Sequence, residues 1–267
     1  MPDPMYRRVA DDLERRIKAG EWQPGEQLPT EPELRVQYED ASRNTVRDAI
    51  KLLISRKLVE TRPGRGTFVV DTIDPFVTTL SGEPGSGFGG GEGAAYLSEV
   101  EARLRTPSVT TPRVEIQTAN AKVAGHLRIE EGTEVISRHQ ERRIDGKAWS
   151  LQTTWYPMSL VTRGATRLIQ AANIEEGAVA YLHEQFGMEQ AGYQDLLVIR
   201  QPDRHEAMFF GLPDDGTVAV VEQSRTAYDQ EGQPFRLTVT VFPADRNQFV
   251  INAGKLPADV VNPAGGG

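Results

Sequence analysis

The 267-residue chain contains no cysteine. That excludes disulfides, thiolate metal sites and cysteine nucleophiles at once. No apolar run approaches the roughly 18 residues needed to cross a bilayer, and the first residues carry no apolar stretch of the signal-peptide kind. A cytoplasmic protein with no membrane partner is therefore expected. Catalytic signatures are missing as well. The four histidines, His126, His139, His183 and His205, show no metal-ligand spacing. No G-x-S-x-G elbow, no P-loop and no strand-following G-x-G-x-x-G occurs. Gly85-x-Gly87 lies in a Gly-rich run instead. The carboxylate pairs Glu130-Glu131, Glu175-Glu176 and Asp214-Asp215 fall at turns and helix starts, where they favour the helix dipole. The expectation is a chain that is not an enzyme and holds no cofactor or metal.

Positive charge is also scarce. The formal net charge is −8, which taken whole argues against a nucleic-acid partner. The distribution reverses that argument. Residues 1–70 hold 13 basic and 12 acidic side chains, and the remainder holds 17 and 26. Within residues 40–70 the count is 7 against 3. The positive field is confined to one segment, as phosphate contact requires.

That segment, Leu28 to Val70, carries two short helical patterns followed at once by a Gly/Arg hairpin. Thr30 and Glu33 form a T-x-x-E capping box, and Pro32 sits in the first turn, where its missing N–H costs little. Ser42 is a good N-cap for a second helix, in which Val46, Ile50, Leu53 and Ile54 make one apolar stripe. Arg43, Asn44, Thr45 and Arg47 then fall on exposed N-terminal turns, the part of a recognition helix that reads base edges. Leu58–Arg62 and Thr67–Val70 alternate like strands around the turn Pro63-Gly64-Arg65-Gly66. Each piece has a plainer reading, as a solvated helix face or a bare turn. Their joint order within about 40 residues is what suits a winged helix-turn-helix.

The segment resembles the DNA-binding domain of the GntR family of bacterial transcription regulators. The resemblance rests on Tyr6, Gly20-Glu21-Trp22-Gln23-Pro24-Gly25, Leu28-Pro29-Thr30-Glu31, Ser42-Arg43-Asn44-Thr45-Val46-Arg47 and Gly64-Arg65-Gly66-Thr67-Phe68-Val69. It implies a double-stranded DNA operator as partner, contacted by Ser42, Arg43, Asn44, Thr45 and Arg47 from the recognition helix and by Gly64, Arg65, Gly66 and Thr67 from the wing. Many family members carry a DNA-contacting Arg where this chain has Pro32. That contact is expected to be absent, leaving room for a different operator.

Four regions are expected: a DNA-binding domain at 1–72, a Gly-rich linker at 73–94, a second domain at 95–252 and a tail at 253–267. In the second domain period-2 segments dominate, at Thr110–Thr118, Thr133–Ile144, Lys147–Tyr156, Gly192–Arg200, Thr217–Tyr228 and Gln233–Phe242. Asp145-Gly146 is a tight-hairpin signal. Helical patterns lie near Ala119–Leu127, Met158–Gln170, Glu175–Phe186 and Asp203–Phe210. Meandering strands with interspersed helices argue for an α+β domain on an antiparallel sheet. This part resembles the UTRA effector-sensing domain of the HutC branch. The residues are Leu127-x-Ile129-x-x-Gly132-x-x-Val135, Arg142-x-x-Asp145-Gly146, Phe210-Gly211-Leu212-Pro213, Glu222 to Tyr228 with Asp229-x-x-Gly232-x-Pro234, and Asp245-Arg246-x-x-Phe249. The fold implied is a six-stranded antiparallel sheet with helices, related to chorismate lyase.

Alternation sorts the strand faces. Ile136, Arg138, Gln140 and Arg142 share a face, as do Ser150, Gln152 and Thr154, and Arg236, Thr238 and Thr240. The opposing Trp149, Leu151 and Trp155 are expected to be core. The polar face either lines a pocket or stays open to solvent. In the family, two Args before the hairpin hold an anionic group and an acidic residue after it binds sugar hydroxyls. Here Arg142 matches one Arg, Gln140 stands at the other and Gln152 at the acidic position. These departures count against an amino-sugar phosphate. Arg138 and Arg236 are candidates to replace the lost cation, and the Gln pair favours a neutral ligand. Thr154, Glu222 and Tyr228 complete the effector-binding candidates. The resemblance thus implies a ligand-responsive regulator, in the first instance a repressor, acting as a homodimer on a palindromic operator. A DNA-binding protein whose second domain only dimerises, and a lyase-like enzyme, are the alternatives.

Overall fold

The computed structural model describes residues 4–38, 41–70, 75–80, 97, 100–213 and 216–251. The chain divides into two compact units, Met1–Asp74 and Pro75–Gly267.

In the first unit, helices α1 (Met5–Lys18), α2 (Glu31–Gln37) and α3 (Arg43–Ser55) are followed by the hairpin β1 (Val59–Arg62) and β2 (Gly66–Val69). Val9, Leu13 and Ile17 recur on one face of α1, and Val46, Ala49, Ile50 and Leu53 on one face of α3; with Leu34 they make the core. The expected stripe extended to Ile54, which is 40% exposed; the buried place is taken by Ala49. Both expected caps form. The Thr30 N–H donates to Glu33 Oε2 at 2.7 Å, and the Thr45 N–H donates to Ser42 Oγ at 3.1 Å. The wing gains a third strand-like segment, since Gly25 and Leu28 N–H donate to Val69 and Thr67 carbonyls at 2.8 Å.

The second unit is built on seven antiparallel strands. They are β4 (Pro107–Val109), β5 (Arg113–Thr118), β6 (Glu134–Ile144), β7 (Lys147–Pro157), β8 (Gln190–Arg200), β9 (Val220–Asp229) and β10 (Pro234–Pro243). Their order is β4-β6-β7-β10-β9-β8, with β5 also along β6. The resemblance implied six. The extra strand arises because β4 and β5 are separate, with Pro112, which has no N–H to give, in the gap between them. Asp145 (φ 52°) and Gly146 (φ 77°) form the primed turn joining β6 to β7.

Helices cover both faces of this sheet. Ala121–Leu127 packs with Val135, Trp155 and Leu237, and Arg204–Phe210 packs with Leu151 and Val241. On the other face Met158–Thr162, the 3-10 turn Thr166–Ile169 and helix Ala178–Phe186 pack with Ile136, Tyr156 and Ala227. The single helix expected over Met158–Gln170 is broken at Gly164, whose φ of 127° no helix accepts. Trp149 is core as expected, at 1% exposed, but it reaches the core out of plain alternation. Arg142 pairs with Ser150 and Arg143 with Ala148, so Trp149 is bulged out of register and meets Phe76 edge-on at 6.4 Å.

The expected linker, 73–94, is corrected over part of its length. Phe76–Leu80 is a strand, β3, paired in parallel with β11 (Asn247–Ile251). Local pattern gives no warning of a partner some 170 residues away. Residues 81–94 and the tail 253–267 lie outside the described residues.

Candidate nucleic-acid interface and effector face

The capped start of α3 fixes what the first unit presents. Ser42, Arg43, Asn44 and Arg47 are exposed and Thr45 half-buried, while Val46 between them is fully buried. The Ser42 and Thr45 hydroxyls lie 2.8 Å apart, so both are engaged with each other and with the cap. The two arginines converge on one carboxylate that the sequence reading passed over. Arg47 Nε donates to Glu31 Oε1 at 2.9 Å and Arg43 Nε to Glu31 Oε2 at 3.3 Å. The hydrogen bond from Arg47 is the main cause that holds the Glu31 carboxyl below its usual range. In the sequence Glu31 stands only as a member of the Leu28-Pro29-Thr30-Glu31 motif, because its partners lie 12 and 16 residues away.

At the wing, Gly64 has φ 69° and Gly66 φ 120°. A Cβ on Gly66 would push aside the end of the flexible Gln27 side chain, so it is chiefly the positive φ that specifies glycine at the tip. Arg65 is exposed at that tip, and half-buried Thr67 is paired across to Thr61. Arg62 stacks on Phe68 at 4.5 Å instead of projecting outward.

The sheet of the second unit carries the expected polar row, entirely buried. Arg138 stands opposite Thr154, which stands opposite Thr238; Gln140 opposes Gln152, which opposes Thr240; Arg142 opposes Ser150. Arg142 is 2% exposed, and its Nη2 donates to Gln152 Oε1 at 2.5 Å. Gln152 Nε2 donates on to Thr240 Oγ1 at 3.2 Å. The row continues onto β9, where Gln223 opposes Thr240 and Arg225 opposes Thr238. Neither residue was among the sequence candidates.

Two matched models describe this architecture. That of the bacterial regulatory proteins, gntR family, matches residues 5–69. That of the UTRA domain matches residues 102–248. The chain belongs to the HutC branch of the GntR family. This regulator is 41% identical over 66 residues to the mannosyl-D-glycerate transport/metabolism system repressor MngR of Escherichia coli, covering 25% of this chain and 27% of that one. It is 22% identical over 249 residues to the HTH-type transcriptional repressor NagR of Bacillus subtilis, covering 93% and 94%. Among solved structures, PhnF from Mycobacterium smegmatis has the same fold, with a TM-score of 0.54 at 24% identity, covering 92% of this chain and 99% of that one. The regulator is thus a DNA-binding transcription regulator with an effector-sensing domain, and not an enzyme.

Several effector candidates in the regulator are placed otherwise than the sequence implied. Arg138 is no spare cation. Its guanidinium donates to the carbonyls of Leu168 (2.8 Å), Gln170 (2.9 Å) and Ala172 (2.7 Å), fastening that loop to the sheet. Gln140 Nε2 donates to Thr110 O and Asn173 Oδ1, both at 3.0 Å. Arg236 donates to Gln190 Oε1 at 2.8 Å. Glu222 and Tyr228 are on the opposite face from Gln223 and Arg225, as strand alternation requires. Burial pushes the Glu222 carboxyl up, but hydrogen bonds from Lys122 and Arg200 outweigh it and hold it low. Tyr228 carries Arg128 on its ring at 5.6 Å. Only Arg142, Gln152 and Thr154, with Gln140 at the edge, meet as one cluster. No group of acidic and histidine side chains suited to a metal occurs among the described residues, and no described helix is long and apolar enough to cross a membrane.

Proposed function

We propose that this protein is a repressor that binds a two-fold operator as a homodimer and is released by a small-molecule effector held on the polar face of its second unit. The observation that carries the reading is the pairing of two exposed arginines at the capped start of α3 with a buried polar layer in a separate unit. Arg43 and Arg47 read bases, with Asn44 beside them; Ser42 and Thr45 hold the cap and meet the backbone; Gly64 to Thr67 carry Arg65 to the neighbouring groove. Arg142, Gln152 and Thr154 take the effector. Two relatives named as repressors support the sign of regulation. Coupling requires that the effector bind one arrangement of the dimer better than the other.

Dimerisation is supported by β8. It ends the described sheet, and Leu196, Leu197, Val198 and Ile199 are 51%, 37%, 42% and 76% exposed. Its eleven residues contain no lysine or proline to guard the edge. An antiparallel strand pair is self-complementary, as a two-fold interface demands.

The test is fluorescence anisotropy on the DNA upstream of the protein's own gene, with a scrambled fragment as control at about 0.15 M salt. Tight binding to the native fragment alone, lost in the Arg43→Ala/Arg47→Ala variant, is expected. Equal weak binding to both fragments would oppose the reading. Light scattering should give a dimer mass that Leu197→Lys/Ile199→Lys halves.

A further inference from the structure

Buried polar atoms without partners are rare in folded proteins, and each one asks for an explanation. In the second unit several of them lie on one face of the sheet, apart from those of Trp155 and Asn247. Gln223 is 1% exposed, and neither its Nε2 nor its Oε1 meets a hydrogen-bond partner. Ser150 is equally buried, and its Oγ is also without one. Both border the chain in which Arg142 donates to Gln152 and Gln152 donates to Thr240. Gln223 stands directly beside Thr240, and Ser150 directly beside Arg142. From β7 to β9 is two strand spacings, about 10 Å, and Ser150 is offset two residues, about 7 Å, along β7 from the row of Gln223, less the reach of the side chains. One ring or short chain of carbons with hydroxyls on both sides spans that distance.

The donor set defines the ligand chemistry. Gln223 offers one donor and one acceptor, and Ser150 and Thr240 each offer a hydroxyl that does both. These groups suit hydroxyls, which also both donate and accept. Arg142 is the cation bonded into this cluster; Arg225 is held by Asp195 through two bonds of 2.7 and 2.6 Å, and Arg236 donates to Gln190. Arg138 is tied to three carbonyls. A doubly charged phosphate monoester would lie here with one guanidinium bonded into the cluster and the other arginines engaged elsewhere, which a buried site tolerates poorly.

We propose that the effector is a polyhydroxylated compound with at most one negative charge, a sugar, polyol or sugar acid, and that Gln223 and Ser150 bind its hydroxyls. This rests on the reading above that the polar face holds the effector. Ligand binding would satisfy the amide that folding leaves unpaired. The same amide is therefore a stability cost in the free protein, and its loss separates a binding role from a structural one.

The experiment is thermal shift and DNA release on the full-length protein, with free hexoses, hexitols and hexonates against hexose 6-phosphates, each at millimolar concentration. Members of the first group are expected to raise Tm and release DNA, and the phosphates are not. Gln223→Leu should raise the ligand-free Tm while weakening the response about tenfold, with DNA binding retained. Ser150→Ala is the second variant, and should weaken the response without lowering Tm. A response to the phosphates, or to no member of the first group, overturns the proposed class. A response lost in Arg142→Ala but untouched in Gln223→Leu and Ser150→Ala overturns the roles of these two residues and leaves the effector face standing. A response untouched in all three overturns the effector face itself.

Discussion

At the scale of the residue, Glu31 decides how the two exposed arginines at the start of α3 are presented. One carboxylate accepts from both, so neither guanidinium swings freely at the start of α3. Exposed pairs of this kind add little to stability. Their effect should appear in recognition, through the orientation of two forked donors. Glu31→Gln removes a negative charge beside the arginines proposed to meet DNA and loosens both side chains. Non-specific DNA binding should therefore tighten, while the ratio of specific to non-specific affinity falls about tenfold. Competition anisotropy with operator and scrambled DNA measures both, and an unchanged ratio would sink the idea. Gly66 is the other residue set by its surroundings. Gly66→Ala strains the backbone at φ 120° and displaces Gln27. A loss of about 1–3 kcal/mol in the first unit is expected from chemical denaturation.

At the scale of the element, buried charge is used for fastening more than for ligands. Arg138 connects β6 to the loop after the 3-10 turn through three carbonyls. Arg138→Met leaves those carbonyls unmatched and should cost roughly 2–4 kcal/mol. If Arg138 instead held the effector, the variant would keep its Tm and lose only the ligand response. The strands and most helices were legible in the sequence because they repeat locally, at period 2 or 3.6. The pairing of β3 with β11 was not, since neither strand carries a signal of the other. Nor was the edge position of β8, which depends on the order of the whole sheet.

At the scale of the whole molecule, acid should act through carboxyls that the fold holds low, in the second unit (Asp145, Glu176, Glu222) as in the first. In the first unit the Asp12 carboxyl is held low, chiefly by the hydrogen bond from Tyr38, and the Glu14 carboxyl chiefly by Lys18. Burial, with Asp12 as acceptor, pushes the Tyr38 hydroxyl up to about 12. Carboxyls with depressed folded-state values stabilise the fold above their unfolded values, and that contribution disappears as pH falls through the folded ones. The first unit should therefore hold its Tm from neutrality to about pH 5 and lose it below about pH 4. Tyr38→Phe should lower the neutral Tm and flatten the acid loss, as calorimetry across pH would show. An acid loss unchanged in the variant would place its cause elsewhere.

The sequence by itself determined the two units, the capped helix α3, the glycine wing and the polar alternation of β6, β7 and β10. These depend on caps, turns and periodicity within a few residues of one another. Tertiary structure alone decided which polar side chains are engaged with one another. Glu31 faces its arginines across a turn, Arg138 reaches a loop some 30 residues on, and Gln223 enters the effector row only because β9 lies beside β10. A hydrogen bond depends on the distance between atoms that folding brings together, and a one-dimensional pattern carries no measure of that distance.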